Sequence, residues 1–200
     1  ASSKAELTSR LGPVFADSGA YFVGSHPIAG SAQSGLDSAR ADLFQGAVVT
    51  VSPGLPKKDK AGQDLVQDPK AQAAMVRVAE FWQALGAIVV PMTAVEHDRI
   101  LARTSHLPHL VSAALMATIG RGDLEAVRPL CGAGARDTTR VAGGSEEVWH
   151  DIIKSNRYAV SLELAEYQRR IETLRTLIDN GDFEGVRRFF AEGRQLRQAV

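Results

Sequence analysis

A single change of hydrophobic period divides this sequence and limits the folds open to it. Three short apolar runs lie before Met92: Tyr21-Phe22-Val23, Ala47-Val48-Val49-Thr50-Val51 and Ala87-Ile88-Val89-Val90. Each is rich in β-branched or aromatic side chains and ends at a glycine or proline turn, the pattern of buried strands. Between the second and third runs, Asp68 has the chemistry of an N-cap and Pro69 that of a first helical residue. Ala74, Val78, Phe81, Trp82 and Leu85 then recur at helical spacing until Gly86 stops them. Strand, helix and strand in that order predict a parallel α/β sheet.

Beyond Pro91 the strand pattern does not return. Thr93 and Glu96 have the spacing of a capping box and open a long helix through Ile119. Pro108 lies inside it, so the helix should bend near Thr104 or Ser105, one turn before the proline. Ser145 can cap a segment carrying Val148 and Trp149, and Asn180-Gly181-Asp182 closes one helix and caps the next. From Arg157 to Asp179, Val160, Leu164, Tyr167, Ile171, Leu174 and Ile178 alternate by four and three residues, a heptad seam. Such a seam buries against a helix of its own chain or against a partner chain. The fold expected is therefore α/β over residues 1–92, then all-α over residues 93–200.

Composition excludes several classes of function. Of the 200 residues 44% are hydrophobic and 23% charged, an ordinary globular balance with enough apolar mass for a core. Lys and Arg total 23, as do Asp and Glu, so no net positive field favours nucleic acid or an anionic membrane. No apolar run approaches the roughly 18 to 20 residues of a membrane span. The single cysteine, Cys131, forms no disulfide within the chain and makes no thiolate metal site by itself, which fits a reducing cytoplasm. The first residues, Ala1 to Arg10, carry neither an initiating methionine nor the layout of a signal peptide, so the chain is read as a piece of a longer protein.

Three segments carry chemistry. Gly24-Ser25-His26-Pro27-Ile28-Ala29-Gly30-Ser31-Ala32-Gln33-Ser34-Gly35 follows directly on a predicted strand end, where α/β sheets bind ligands, and glycines there allow close backbone approach. His26 titrates near neutrality unless perturbed, although a lone histidine in a loop is usually a surface or hydrogen-bonded residue, so position alone does not carry the case. Ser105-His106-Leu107-Pro108-His109 puts Ser105 and His109, and His106 and His109, on shared helix faces. A zinc site would need a third ligand and a nearby acid, and no His-Glu-x-x-His signature exists, so a polar pocket wall is the expectation and no metal is assigned. Gly132-Ala133-Gly134-Ala135-Arg136-Asp137-Thr138-Thr139-Arg140 lacks both GxGxxG and Walker spacing. Arg140 has the fork geometry for a carboxylate, with an ion pair from Arg136 or Arg140 to Asp137 as the alternative.

Taken together, these segments resemble the prephenate and arogenate dehydrogenase family. The resemblance spans nearly the whole chain: Ala1-Ser2-Ser3-Lys4, the HPIAGSAQSG segment, Glu96-His97-Asp98, SHLPH, and GAGARDTTR followed by Trp149. It implies the C-terminal part of a Rossmann-type parallel sheet followed by a helical dimerisation domain, hence a homodimer. It implies NAD or NADP as cofactor, and oxidative decarboxylation of prephenate or arogenate in tyrosine biosynthesis. His26 matches the catalytic histidine that bonds the ring hydroxyl, and Ser2 the serine that orients it. Ser2, His26 and Pro27 border the nicotinamide, and Arg140 matches the carboxylate-binding arginine. Ser31, Ser105, His106 and His109 match pocket residues, with Asp137 and Trp149 at the border. His97 is read as structural, a polar group at a helix N-terminus.

Ala1 stands where a glycine is common, and Ala32 where many members place a carboxylate, which leaves the choice of substrate open. The phosphate-binding loop and first βαβ unit of the family are expected before Ala1. Two rivals remain: another Rossmann-plus-helical dehydrogenase, such as a 3-hydroxy acid type, and a stand-alone dimeric binding or regulatory module. The first would be expected to place a lysine on the long helix, and none lies between Thr93 and Ile119.

Overall fold

A computed structural model describes residues 2–29, 39–54 and 69–200. Ser31, Ala32 and the N-cap assigned to Asp68 lie outside the described residues. The chain opens with a helix the apolar runs do not announce, α1 (Ala5–Asp17). Strands β1 (Val23–Pro27), β2 (Val48–Pro53) and β3 (Ile88–Pro91) then form one sheet in that order, with α2 (Pro69–Ala84) between β2 and β3.

The β2-α2-β3 unit is parallel, Val49 opposite Val89 and Thr50 opposite Val90, as the strand, helix, strand order requires. β1 departs from the all-parallel expectation. It pairs antiparallel with β2, His26 opposite Thr50, so the sheet is mixed. Mixed sheets of this kind are common in α/β proteins. Val49, Val51 and Ala87 form the buried centre, covered by Val23, Met75, Val78, Trp82 and Val89. Gly86 ends α2 with φ +80°, a conformation that a β-carbon opposes.

After β3 the structure is helical. Thr93 caps α3 (Ala94–Leu101), its side chain accepting from the Glu96 amide. The bend expected before Pro108 is a π-helical turn over Ala102–His106, after which α4 (Leu107–Ile119) continues. Short α5 (Leu124–Val127) and α6 (Ala133–Thr139) follow, and a 3-10 turn at Arg140–Gly143 packs back on α4. Then come α7 (Glu146–Ser155), capped by Ser145, the long α8 (Arg157–Asp179), and α9 (Phe183–Gln198), capped by Asp182. No helix among the described residues is long and apolar enough to cross a membrane.

The two halves meet along α3. This helix touches both α1 and β2, and α8 packs on its far side and on the π-helical turn. Polar side chains are buried at this junction: His97, Asp98, His106, Ser112 and Asn156 are all nearly or fully inaccessible. Burial of so many polar groups is costly unless each is bonded, so their partners define the site.

Candidate active site

β1 carries His26 on its last turn of strand, half-buried, one residue before Pro27. The ring does not stand alone. His26 Nδ1 lies 2.9 Å from His97 Nε2, with the two rings edge to face at a centroid distance of 5.1 Å. His97 Nδ1 in turn lies 2.8 Å from Asp98 Oδ1. Asp98 also receives two backbone amides from the start of α1: Lys4 N–H to Oδ1 at 2.7 Å and Ala5 N–H to Oδ2 at 2.8 Å. First-turn amides of a helix have no partner within it, and a carboxylate there is doubly favoured by hydrogen bonding and by the helix dipole.

A second thread starts from the same aspartate. Asn156, at the junction of α7 and α8, donates its side-chain amide to the Asp98 carbonyl at 2.7 Å. That nitrogen also lies 3.2 Å from His106 Nδ1. The amide cannot be turned round without setting oxygen against oxygen at Asp98, so His106 Nδ1 accepts and the ring proton sits on Nε2. His106 Nε2 is buried, and the Ser2 backbone lies against the ring. Its ring stands edge-on to Trp149 at 6.2 Å, and Trp149 stacks on His109 at 3.7 Å. His109 Nδ1 donates to the Ser105 carbonyl at 3.0 Å, leaving its Nε2 as an acceptor. A β-carbon at Gly144 would come within 2.6 Å of Trp149 Nε1, so that glycine makes room for the indole.

Burial favours the neutral form of His26 and of His106. His26 is lowered to about 4, first by burial and then by the nearby Lys4 ammonium, with smaller pushes from His97 and His106. Burial also lowers His106, against the pull of Asp98. Lys4 is itself lowered by burial, which the Asp98 charge partly opposes. Its aliphatic stem lies along Gly24, where an added β-carbon would meet Cδ at 3.0 Å. A neutral imidazole beside a cation is suited to receive a proton transiently and poorly suited to keep it.

The predicted site residues divide into three groups. His26, His106, His109, Ser105 and Trp149 are joined in a single string of contacts, and the backbone of Ser2 lies against His106. Pro27 adjoins His26 at the strand end. The bonded partner of His26 Nδ1 is His97 rather than Ser2. Asp137 and Arg140 lie on α6 and the following turn, docked on α4 where Ser112 Oγ donates to the Thr138 carbonyl at 3.0 Å. Both are exposed, and among the described residues neither Arg136 nor Arg140 forms an ion pair with Asp137. Ser31 lies outside the described residues.

His97, Asp98 and Asn156 are what sequence reading missed or misplaced. His97 does not cap its own helix; its ring is fully buried between His26 and Asp98. A signal was present, since two adjacent polar residues opening an amphipathic helix just after a strand must find partners across the domain junction.

Comparison with known proteins decides the family. Residues 1–91 match the family described as prephenate dehydrogenase, nucleotide-binding domain, and residues 93–192 match prephenate dehydrogenase, dimerization domain. The chain belongs to the prephenate dehydrogenase family. It is 30% identical over 181 residues to a prephenate dehydrogenase of Bacillus subtilis, covering 90% of this chain and 45% of that one. It is 31% identical over 182 residues to a cyclohexadienyl dehydrogenase of Zymomonas mobilis, covering 89% and 57%. The chain thus spans about half the length of these relatives. Among solved structures, an arogenate dehydrogenase of Synechocystis superposes with a TM-score of 0.80 at 29% identity, over 100% of this chain and 67% of that one. A prephenate dehydrogenase of A. aeolicus in complex with hydroxyphenyl propionate and NAD+ gives 0.82 at 28% identity, over 99% and 64%.

Proposed function

We propose that these residues are the substrate side of a prephenate or arogenate dehydrogenase, which oxidatively decarboxylates prephenate to 4-hydroxyphenylpyruvate or arogenate to tyrosine. The observation that carries this reading is a neutral His26 at the end of β1, backed by buried His97 and Asp98 and joined through the inner network to His106, Trp149 and His109. A ring hydroxyl bonded to the outer nitrogen of His26 loses its proton to that nitrogen as the carbon beneath it is oxidised. Loss of the ring carboxylate as CO2 returns an electron pair to the ring, and the oxygen recovers the proton as a phenol. His109, held by the Ser105 carbonyl and stacked on Trp149, supplies a flat wall. Arg140 meets a substrate carboxylate with paired N–H groups. Asp137 and Ser31 border the same pocket in this reading, and Ser2 lies between His26 and the cofactor.

NAD or NADP supplies the hydride acceptor when bound. Of the residues assigned to its nicotinamide end, His26 and Pro27 close β1, and the Ser2 backbone lies against His106. In this reading residues 1–92 belong to the nucleotide-binding domain and residues 93–200 to a helical domain that pairs two subunits along α8, in the cytoplasm. Leu164, Ile171 and Ile178 of the α8 seam are 43%, 45% and 53% exposed in one chain, as an unpaired seam would be.

The full-length protein, assayed with prephenate and with arogenate, each with NAD and with NADP, should reduce nicotinamide in at least one combination; silence in all of them rejects the reading. In the active combination, His26→Asn should lower kcat by roughly 10²- to 10⁴-fold with little change in KM. Arg140→Ala should act mainly by raising KM.

A further inference from the structure

His26 has two ring nitrogens, and catalysis needs an acceptor on the one that faces outward. Which nitrogen carries the proton is decided by the partner of the other. That partner is His97 Nε2, 2.9 Å from His26 Nδ1. His97 is in turn read from its own far side, where Nδ1 lies 2.8 Å from Asp98 Oδ1. Both Asp98 oxygens already accept backbone N–H groups, from Lys4 and Ala5, as an ionised carboxylate does. A carboxylate only accepts, so the His97 proton sits on Nδ1 and its Nε2 offers a lone pair. His26 must then donate from Nδ1, which leaves its Nε2 bare.

We infer that Asp98 and His97 are positioning residues that fix the tautomer of His26, making its outward nitrogen an obligate proton acceptor. The arrangement parallels, on different side chains, the way an aspartate orients the histidine of a hydrolytic triad. It differs in that a second imidazole carries the instruction across the domain junction. The free histidine side chain favours the opposite tautomer, with its proton on Nε2, so the site reverses an intrinsic preference. Asp98 adds a second constraint. By clasping the Lys4 and Ala5 amides it holds the segment after Ser2 in register with the relay, so the strand histidine and that segment are aligned by one side chain. The His97 ring is fully buried, so bulk solvent does not reach it.

The inference uses the proposed activity only to say whose proton His26 receives; the tautomer itself is read without turnover. The test is long-range 15N–1H correlation on the full-length protein labelled at histidine, with His26 assigned by its loss in His26→Asn. The expected result is a protonated Nδ1 and an unprotonated Nε2 on His26. In His97→Phe, which leaves the Asp98 clasp on α1 in place, and in Asp98→Asn, the His26 signals should move toward the Nε2–H form. In both variants kcat should fall at least about tenfold while KM stays within about twofold, the signature of a group acting through another. A wild-type His26 protonated on Nε2, or variants with an unchanged His26 signal, would overturn the inference. Absence of turnover with every substrate and cofactor would instead remove the proposed activity and leave the tautomer result standing.

Discussion

Burial, with the Lys4 charge beside it, holds His26 down to about 4 from the ordinary 6.5, and stability depends on pH as a result. In the unfolded chain the side chain binds its proton near 6.5, whereas in the folded protein it binds only near 4. Between those values the unfolded state holds more protons, so stability is full above pH 6.5 and falls as the pH is lowered toward 4. His106, also lowered, adds a loss of the same sign. Tm measured across this interval should drop in the wild type and drop less steeply in His26→Asn; equal slopes would mean that His26 is not the titrating group. At this scale the motif residues were legible, because His26, His106 and His109 stand beside glycine and proline in segments that chemistry marks out. Their wiring was not. His26 and His97 are 71 positions apart in sequence, and no local pattern states that two rings so placed will share a proton.

The interruption of the α3–α4 helix illustrates what element-level reading can and cannot reach. Pro108 announces a bend within one turn upstream, where it lies. Its form, a π-helical turn that inserts one residue relative to an α-helix, depends on packing against α8, including the bidentate pair from Arg103 to Glu163 at 3.0 Å. Deleting exposed Thr104 removes that extra residue and should restore α-helical winding while leaving His106 and His109 on nearly their present face. The expected outcome is a folded protein, by far-UV circular dichroism, whose Trp149 emission stays close to that of the wild type. A large emission shift would show that the π-helical turn itself places Trp149 against His109. The sheet shows a similar limit. Periodicity found all three strands, yet the spacing of apolar residues along a strand carries no information on the antiparallel sense in which β1 pairs.

For the molecule as a whole, the proportion of buried apolar side chains is small. Val49, Val51, Ala87, Leu101, Ala102 and Val160 are the buried hydrophobic residues described, while many large ones on α8 and α9 remain open. A helical half so exposed gains stability by pairing, since burial contributes roughly 25 cal/mol per Å² of apolar surface. Ile171→Asp places a charge in the middle of the α8 seam and should convert the proposed dimer to monomer in analytical ultracentrifugation, with Tm becoming independent of concentration. An unchanged sedimentation coefficient would place the subunit contact elsewhere. The heptad spacing was readable because it needs only one helix; whether its partner lay within the chain required knowing where α9 packs.

The Asp98 clasp bears on how such a chain can be varied. Its residue belongs to the helical half, yet its carboxylate caps the start of the first helix of the α/β half and reaches a histidine on the first strand through His97. A chimera spliced between Pro91 and Thr93, with each half taken from a different relative, would therefore inherit its proton acceptor from one parent and the orientation of that acceptor from the other. Only recombinants that restore the fit across this seam would be expected to work, which makes the two halves a single unit of inheritance despite their separate folds.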